Sequence, residues 1–197
     1  ILEVAIELFS QNGYSAVSVR EITKHVGIKE SALYNHFKTK DDILETIYFV
    51  FKAEQSQKDL PPVERLDEIL ENLAPEQFLK RGFINFQNVV SNPVSAKIWQ
   101  ILMIEQFRDR RAREIILIDI YKRIIDFLEA AFHIMIEKKQ LKPMDARLLA
   151  YEYQYPIFTM MTEYLLLKFD EKDTTEIETR VEKHIQFFIE SVKLQKE

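Results

Sequence analysis

Apolar residues recur every three or four positions along almost the whole chain, which is the spacing of one buried helix face. Leu2, Ala5 and Phe9 begin the pattern, and Val19, Ile22 and Val26 repeat it. No convincing strand and no internal repeat interrupts it. The pattern predicts helices over Leu2–Phe9, Ser18–His25, Lys29–Asn35, Thr39–Phe51, 62–73, 76–90, 93–107, 109–139, 145–168 and 174–195. The sequence therefore predicts an all-α protein.

Several predicted helices carry start or stop signals of their own. Ser18–Glu21 and Thr175–Glu178 have the spacing of capping boxes, in which a hydroxyl and a carboxylate satisfy free backbone amides. Thr39 is predicted to be an N-cap, and Asn92 a cap followed by proline at the first helical position. Gly27 falls where a helix ends and the chain reverses. Pro156, inside a helical pattern, is expected to kink it.

The first three helices are predicted to form a small cluster that contains a helix-turn-helix. Its core is expected to contain Leu2, Ala5, Phe9, Val19, Ile22, Val26, Ala32, Leu33 and Phe37. A polar stretch from Gln55 to Pro62 then separates this N-terminal block from the remaining helices. The chain begins at Ile1 and not at a methionine, so we expect a short N-terminal arm to be missing.

Charge changes this picture at one place. The net charge is −5, which argues against a general nucleic-acid binder, yet residues 18–40 carry an excess of three positive charges. A short basic segment on an acidic body is typical of a small, dedicated anion-binding surface. The chain has no cysteine and no apolar run of about 18 residues, so we expect a cytoplasmic protein that does not span a membrane.

The second helix of the helix-turn-helix is left with a free polar face, made of Lys29, Glu30, Ser31, Tyr34, Asn35 and His36. An ordinary solvated surface is the alternative interpretation of such a face. Three features favour a binding surface. The helix is too short to be stable alone, so packing must hold it. Tyr34 and His36 are costly to expose, and Ser18 and Thr39 begin two helices whose amide-rich N-termini attract phosphates.

Residues 1–47 resemble the DNA-binding domain of the TetR family of bacterial transcriptional repressors. The resemblance rests on Ala5–Phe9, Gly13-Tyr14, Ser18–Ile22, Val26–Ile28 and above all Leu33–Lys40, which runs on to Ile43-Leu44. It implies a helix-turn-helix DNA-binding domain over 1–47 and a helical effector-binding and dimerisation domain over 48–197. The chain departs from the family pattern in two ways. Thr23 and Val26 stand where alanines are common, and Glu30 would turn a negative charge towards DNA.

The resemblance also implies residue roles. Tyr34 and Lys40 would contact phosphates, with Ser18 and its neighbouring amides doing the same, and Arg20 would lie near the backbone or a base edge. Lys29, Glu30, Ser31 and Asn35 would face the major groove, where such side chains distinguish base pairs. For His36, a phosphate contact and a structural role between helices both remain open.

The last two helices carry apolar stripes. In the family this region forms a dimeric four-helix bundle, so the resemblance implies a homodimer; the alternative is intramolecular core. A twofold dimer would present two reading helices one DNA turn apart, about 34–36 Å. The residues expected at the dimer interface are Leu148, Tyr151, Phe158, Val181, Ile185, Phe188 and Val192.

Aromatic and soft side chains in the middle helices favour an apolar or aromatic effector as a group, although each one alone is typical of plain core. The residues expected to line the pocket are Phe83, Phe86, Trp99, Met103, Phe107, Phe127 and Tyr155. The charged run from Glu105 to Glu114 is predicted to be a solvated helix junction, with a role in coupling the two domains as the alternative.

Enzyme chemistry finds little support. His133 and Glu137 share a helix face, but the further ligands of a catalytic zinc are missing, and no glycine-rich phosphate loop or nucleophile elbow is present. We therefore expect no enzyme, no cofactor and no metal.

The function predicted is a ligand-responsive homodimeric repressor that binds a palindromic operator and is released by an effector. The alternatives are a DNA-binding regulator controlled by a protein partner or by no ligand, and a helical small-molecule or lipid carrier.

Overall fold

A computed structural model describes residues 1–58 and 60–194, and for residues 55–58 the backbone only. Helices account for the regular structure of this part of the chain, apart from one isolated antiparallel bridge between Leu141 and Lys193. The elements in order are α1 Leu2–Asn12, α2 Val19–Val26, α3 Glu30–Leu33, α4 Lys40–Lys58, a 3-10 turn Val63–Arg65, α5 Leu66–Glu71, α6 Pro75–Ser91, α7 Pro93–Glu105, α8 Arg110–Glu114, a π-helical segment Ile115–Lys122, α9 Arg123–Glu137, α10 Ala146–Phe169 and α11 Thr175–Val192.

The all-α prediction is confirmed, but several helices differ in extent. Helix α4 runs on to Lys58, past its predicted end at Phe51, and the helix predicted over 62–73 is the 3-10 turn Val63–Arg65 followed by α5. The helix predicted over 109–139 is an α–π–α succession from Arg110 to Glu137. The reading helix α3 stops at Leu33 and not at Asn35, because the amides of His36 and Phe37 both turn back to the Leu33 carbonyl. Helix α11 ends at Val192, and residue 195, where it was predicted to end, lies outside the described residues.

Three of the predicted helix caps are present and one is wrong. The capping box of Ser18 and Glu21 is complete, Thr39 accepts from the Asp42 amide, and Asn92 accepts from the amides of Val94 and Ser95. The box predicted for Thr175 does not form, because the helix begins at that residue and its N-cap is Thr174. Helix α10 runs through Pro156 from Ala146 to Phe169.

Residues 1–59 and 89–121 form one compact unit, which we call unit 1. Helix α1 packs on α2, α4 and α7, while α4 also packs on α7. Phe9, Ile22, Leu33, Ile47 and Phe51 are buried, as expected for a helix cluster built around α1. The domain boundary expected between residues 47 and 48 falls inside the continuous helix α4 and stays a prediction.

Residues 60–88 and 122–197 form the other compact unit, unit 2. Helix α10 packs on α9 and α11, and α5 packs on α9. The rings of Phe132, Tyr153 and Phe188 meet in its core at centroid distances of 5.3–6.3 Å. The bridge at Leu141 joins the segment after α9 to the end of α11 through the bond from the Lys142 amide to the Val192 carbonyl (2.8 Å).

Two further observations concern the described residues alone. None of their helices combines the length and the apolar character that crossing a bilayer requires. No group of three or more histidine, aspartate or glutamate side chains among them is placed to hold a metal ion.

Candidate nucleic-acid interface

The start of α2 is set by a reciprocal cap that leaves Ser18 at the surface. The Glu21 amide donates to Ser18 Oγ (3.2 Å), and the Ser18 amide donates to Glu21 Oε2 (2.8 Å). The bonds that the amide and the hydroxyl of Ser18 donate to the ionised carboxylate lower the pKa of Glu21. At the other end, Gly27 has φ 79° and ψ 30°, a left-handed conformation that glycine adopts without steric cost, and its amide donates to the Thr23 carbonyl.

The turn at Gly27 places α3, whose four residues are held by the fully buried Leu33. The side chains around it form an exposed polar row, which we call the reading row. Its members are Lys29, Glu30, Ser31, Tyr34, Asn35 and His36. All six are exposed, as are Ser18, Arg20 and Thr39, so nine of the ten residues predicted to contact DNA lie at the surface of unit 1. Their contacts with DNA stay a prediction.

Lys40 is the tenth residue and is placed differently. Its Nζ donates to the carbonyl oxygens of Tyr14 (2.9 Å) and Val17 (2.8 Å), and it lies 4.0 Å from the centre of the Tyr14 ring. Partial burial lowers the pKa of Lys40. In this structure Lys40 therefore stabilises the turn between α1 and α2, and its ammonium is not presented outward with the other nine side chains.

Sequence reasoning missed a second set of residues that supports this interface. The carboxylate of Glu105, at the end of α7, is only 2% exposed and accepts from the Tyr14 amide at 2.9 Å. Arg111 binds Asp41 in the first turn of α4. The prediction of a solvated junction over Glu105–Glu114 is therefore wrong for Glu105 and Arg111. The high density of charged residues from Glu105 to Glu114 was the only sign in the sequence that this segment forms polar contacts. It did not indicate that the partners are Tyr14 and Asp41.

The residues predicted to line an effector pocket are divided between the two units. In unit 1, Trp99 packs edge-on against Phe51 at 5.5 Å, and Met103 is half-buried. Phe107 is 85% exposed, because it lies in the turn after α7 ends at Glu105. Phe107 is therefore not an interior residue of this chain, which corrects its assignment to a pocket.

In unit 2 the predicted pocket residues are mostly core. Phe83 and Phe86 both pack edge-on against Tyr164, at 5.8 and 5.9 Å, and Phe127 stacks on Phe78 at 5.9 Å. Tyr155 is 53% exposed and stacks on Tyr151 at the surface of α10. Its assignment to an interior pocket is also corrected, whereas a pocket beside Phe83, Phe86 and Phe127 stays a prediction.

The residues predicted for the dimer interface fall into two groups. Five are buried within the chain itself: Phe158 on α10, and Val181, Ile185, Phe188 and Val192 on α11, whose stripe faces inward against α9 and α10. Their assignment to an interface is wrong for this reason. Leu148 is half exposed and Tyr151 partly exposed, both on α10. Other exposed apolar side chains of the same two helices are Tyr155, Leu166, Phe169 and Phe187.

The N-terminal helices match a known protein family. The sequence profile of bacterial regulatory proteins of the tetR family matches residues 1–47, the segment that contains α1, α2, α3 and the first turns of α4. The family match is therefore to the N-terminal helix-turn-helix segment of the chain. A similar curated relative is the HTH-type transcriptional regulator AcrR of Shigella flexneri, 40% identical over 60 residues. That match covers 30% of this chain and 28% of AcrR, so the chain matches less than a third of that relative's length.

Solved structures of transcriptional regulators share the fold over nearly the full chain. A transcriptional regulator from Saccharomonospora viridis in complex with choline has a TM-score of 0.62 at 18% identity, covering 98% of this chain and 96% of its own. SmeT of Stenotrophomonas maltophilia, in complex with triclosan, has a TM-score of 0.63 at 15% identity, covering 98% and 90%. AcrR and the Saccharomonospora viridis protein are named as transcriptional regulators and SmeT as a repressor, which agrees with the prediction of a transcriptional regulator.

Proposed function

We propose that this chain is a ligand-responsive homodimeric repressor of the TetR family, which binds a palindromic operator through its reading row and is released by a small effector. The observation that carries the proposal is the reading row itself. Six polar side chains are exposed together around a helix of four residues, and a capped helix, a left-handed glycine and a buried leucine fix their position. Side chains of this kind in the major groove distinguish base pairs.

Phosphate contacts are proposed to come from the two helix starts beside the reading row. Ser18 and Thr39 are exposed N-caps, and the positive end of a helix dipole favours an anion there. Tyr34 is 49% exposed and supplies a hydroxyl. Lys40 supports these contacts indirectly, by holding the turn that leads into Ser18.

The dimer is proposed to use the outward face of α10. Leu148, Tyr155, Thr162 and Phe169 recur at intervals of seven residues, and the first, second and fourth are more than half exposed. A seven-residue repeat of exposed positions is the pattern by which two helices pack along a seam. Phe187 adds a ring that is 72% exposed on α11.

An effector is proposed because two structural neighbours are complexes with small molecules, choline in one and triclosan in the other. The aromatic group of Phe83, Phe86 and Tyr164 favours an apolar or aromatic molecule for this chain. The repressor role draws on SmeT, which is the repressor of a multidrug efflux pump.

The DNA-binding proposal is tested on a duplex selected from a random library by the protein itself. We expect Lys29→Ala to weaken binding to that duplex by about 1–3 kcal/mol and to relax the preference at one base pair, because a groove-facing lysine donates to base edges. Fluorescence anisotropy of the labelled duplex measures both effects. The matched control is Lys183→Ala, an exposed lysine of α11 that should leave binding unchanged. Failure to enrich any sequence, or equal binding by Lys29→Ala and the wild-type protein, would contradict the proposal.

A further inference from the structure

The segment from Glu105 to Arg111, which we call the α7–α8 corner, carries a network of charged contacts within unit 1. Glu105 is almost fully buried, and its carboxylate accepts the Tyr14 amide. A buried carboxylate is retained only where partners compensate for lost hydration. The approach is close because the preceding residue is Gly13 at φ +76°, where a Cβ would lie 3.4 Å from Glu105 Oε1. Glu105 is therefore built into the turn between α1 and α2.

The same turn is held from the other side by Lys40. Glu105 binds the amide of Tyr14, and Lys40 binds its carbonyl and that of Val17. Both polar groups of one peptide residue thus have charged partners, one at the end of α7 and one in the first turn of α4. Ser18, the start of α2, follows Val17 directly.

Arg111 makes the second connection of the corner, to α4. Its two terminal nitrogens donate to the two oxygens of Asp41 at 2.8 and 2.7 Å, a bidentate fork. The same guanidinium donates to Asp109 at 2.8 Å through Nη2 and at 3.2 Å through Nε, and Asp109 also caps the backbone amide of Arg111 at 2.8 Å. A planar guanidinium matches two carboxylates in this way, and an ammonium group does not.

The two segments that the corner binds lie on either side of the reading row. One leads into Ser18 and the other follows Thr39. Helix α3 is too short to set its own orientation, so that orientation depends on the anchoring of α2 and α4. We propose that the α7–α8 corner is a clamp that fixes the reading row for DNA binding, with Arg111 as its positioning residue. This inference rests on the proposed DNA-binding function.

The clamp is expected to act on orientation more than on global stability. Asp41 and Arg111 are half and one-third exposed, and exposed ion pairs contribute little to the free energy of unfolding. The bidentate pair instead fixes the position of Asp41 relative to Arg111. A movement of α7 or α8 would therefore also move the first turn of α4. The α7–α8 corner thereby gives unit 1 a route by which its own helices regulate the reading row.

The test compares Arg111→Ala and Arg111→Lys with the wild-type chain. The matched control is Arg110→Ala, whose side chain is 80% exposed and pairs with Glu114 on its own helix. Amide hydrogen exchange is followed by NMR at Tyr14 and in the first turn of α4. We expect Arg111→Ala to speed exchange at both places by about tenfold, the effect of removing one member of a coupled network, while core amides of α7 keep their rates. Arg111→Lys should recover only part of the protection, and Arg110→Ala should behave as wild type.

Binding to the selected duplex supplies the second measurement. Arg111→Ala should lower its affinity by about tenfold, with an unchanged dependence on salt, because no phosphate contact is removed. Unchanged exchange at Tyr14 and α4, exchange that accelerates throughout the chain, or full affinity despite faster local exchange would each overturn the clamp. If the wild-type protein binds no duplex, the proposed function fails, yet the exchange measurement still decides whether the corner holds the two segments.

Discussion

Asp109 keeps its negative charge in a partly buried position. Desolvation alone would raise its pKa, but the hydrogen bonds from the guanidinium and amide of Arg111 outweigh it and hold the pKa of Asp109 below its ordinary value. A carboxyl group whose pKa is lowered by folding stabilises the folded state above its unfolded pKa. That contribution is lost as the pH falls through the lower, folded value.

We therefore expect Asp109→Asn to lower the free energy of unfolding at pH 7. The difference from wild type should shrink as the pH falls below about 4, the ordinary pKa of aspartate, because the unfolded wild-type chain then binds a proton at Asp109 more readily than the folded chain does. Urea unfolding at pH 7 and pH 3 measures the effect. A difference that is constant across this range would show that the ionised carboxylate of Asp109 contributes nothing.

Among single residues, the sequence was informative where a role depends on near neighbours. Gly27 was predicted from its place after a helix, and Ser18 from the glutamate three positions later. Lys40 and Glu105 show the limit. Their partners at Tyr14 are 26 and 91 positions away, and no local pattern encodes such distances. The ion pairs of Arg111 with Asp41, 70 positions apart, were missed for the same reason.

At the scale of helices, the start of a helix was predicted correctly where a single side chain could act as its N-cap. At the start of α11, several side chains compete for the backbone amides and hydroxyls. Asp173 Oδ1 accepts from the amide (3.2 Å) and hydroxyl (2.7 Å) of Thr175, and the Thr174 hydroxyl donates to Glu178. Only Thr175 has a glutamate three positions later, so the spacing favoured it, and the competing bonds of Asp173 and Thr174 are not visible in that spacing. The π-helical turns of Ile115–Lys122 were also missed, since their apolar spacing fits an α-helix equally well.

The cap of α7 offers a direct test at this scale. Asn92 Oδ1 accepts from two backbone amides, those of Val94 and Ser95, at 2.9 and 3.1 Å. We expect Asn92→Ala to lower the free energy of unfolding by about 1 kcal/mol. Asn92→Asp should lower it much less, because a carboxylate also accepts these two hydrogen bonds. Urea unfolding at neutral pH distinguishes them. An equal loss in both variants would indicate that the amide nitrogen of Asn92, and not its oxygen, is important.

For the whole molecule, the periodic stripes predicted which helix faces are apolar but not which neighbour covers them. The stripe of α11 was expected to meet a partner chain and instead faces the core of unit 2, where Phe188 meets Phe132 and Tyr153. The outward face of α10 is weaker as a sequence pattern, because Thr159 and Thr162 interrupt it. Only the packed fold shows that its apolar side chains remain uncovered within the chain.

This face leads to a prediction about assembly. Leu148→Glu should convert the proposed dimer into a monomer at micromolar concentration, because a charge within the apolar seam would lose its hydration on association. Sedimentation velocity measures the change. Ile84→Glu on α6 is the matched control, since Ile84 is exposed to the same degree and lies outside the proposed seam. A wild-type monomer, or a Leu148→Glu dimer, would exclude this interface.

The π-helical segment Ile115–Lys122 has a consequence for the history of the chain. A π turn closes its hydrogen bond over five residues in place of four, so it contains a residue more than the α turn that could replace it. Loss of one residue there could be absorbed by a change from a π turn to an α turn. The same loss inside α9 would rotate every later side chain by about 100°. We expect this segment to be where the long helical run tolerates insertions and deletions, so that related chains can differ in length there while packing alike.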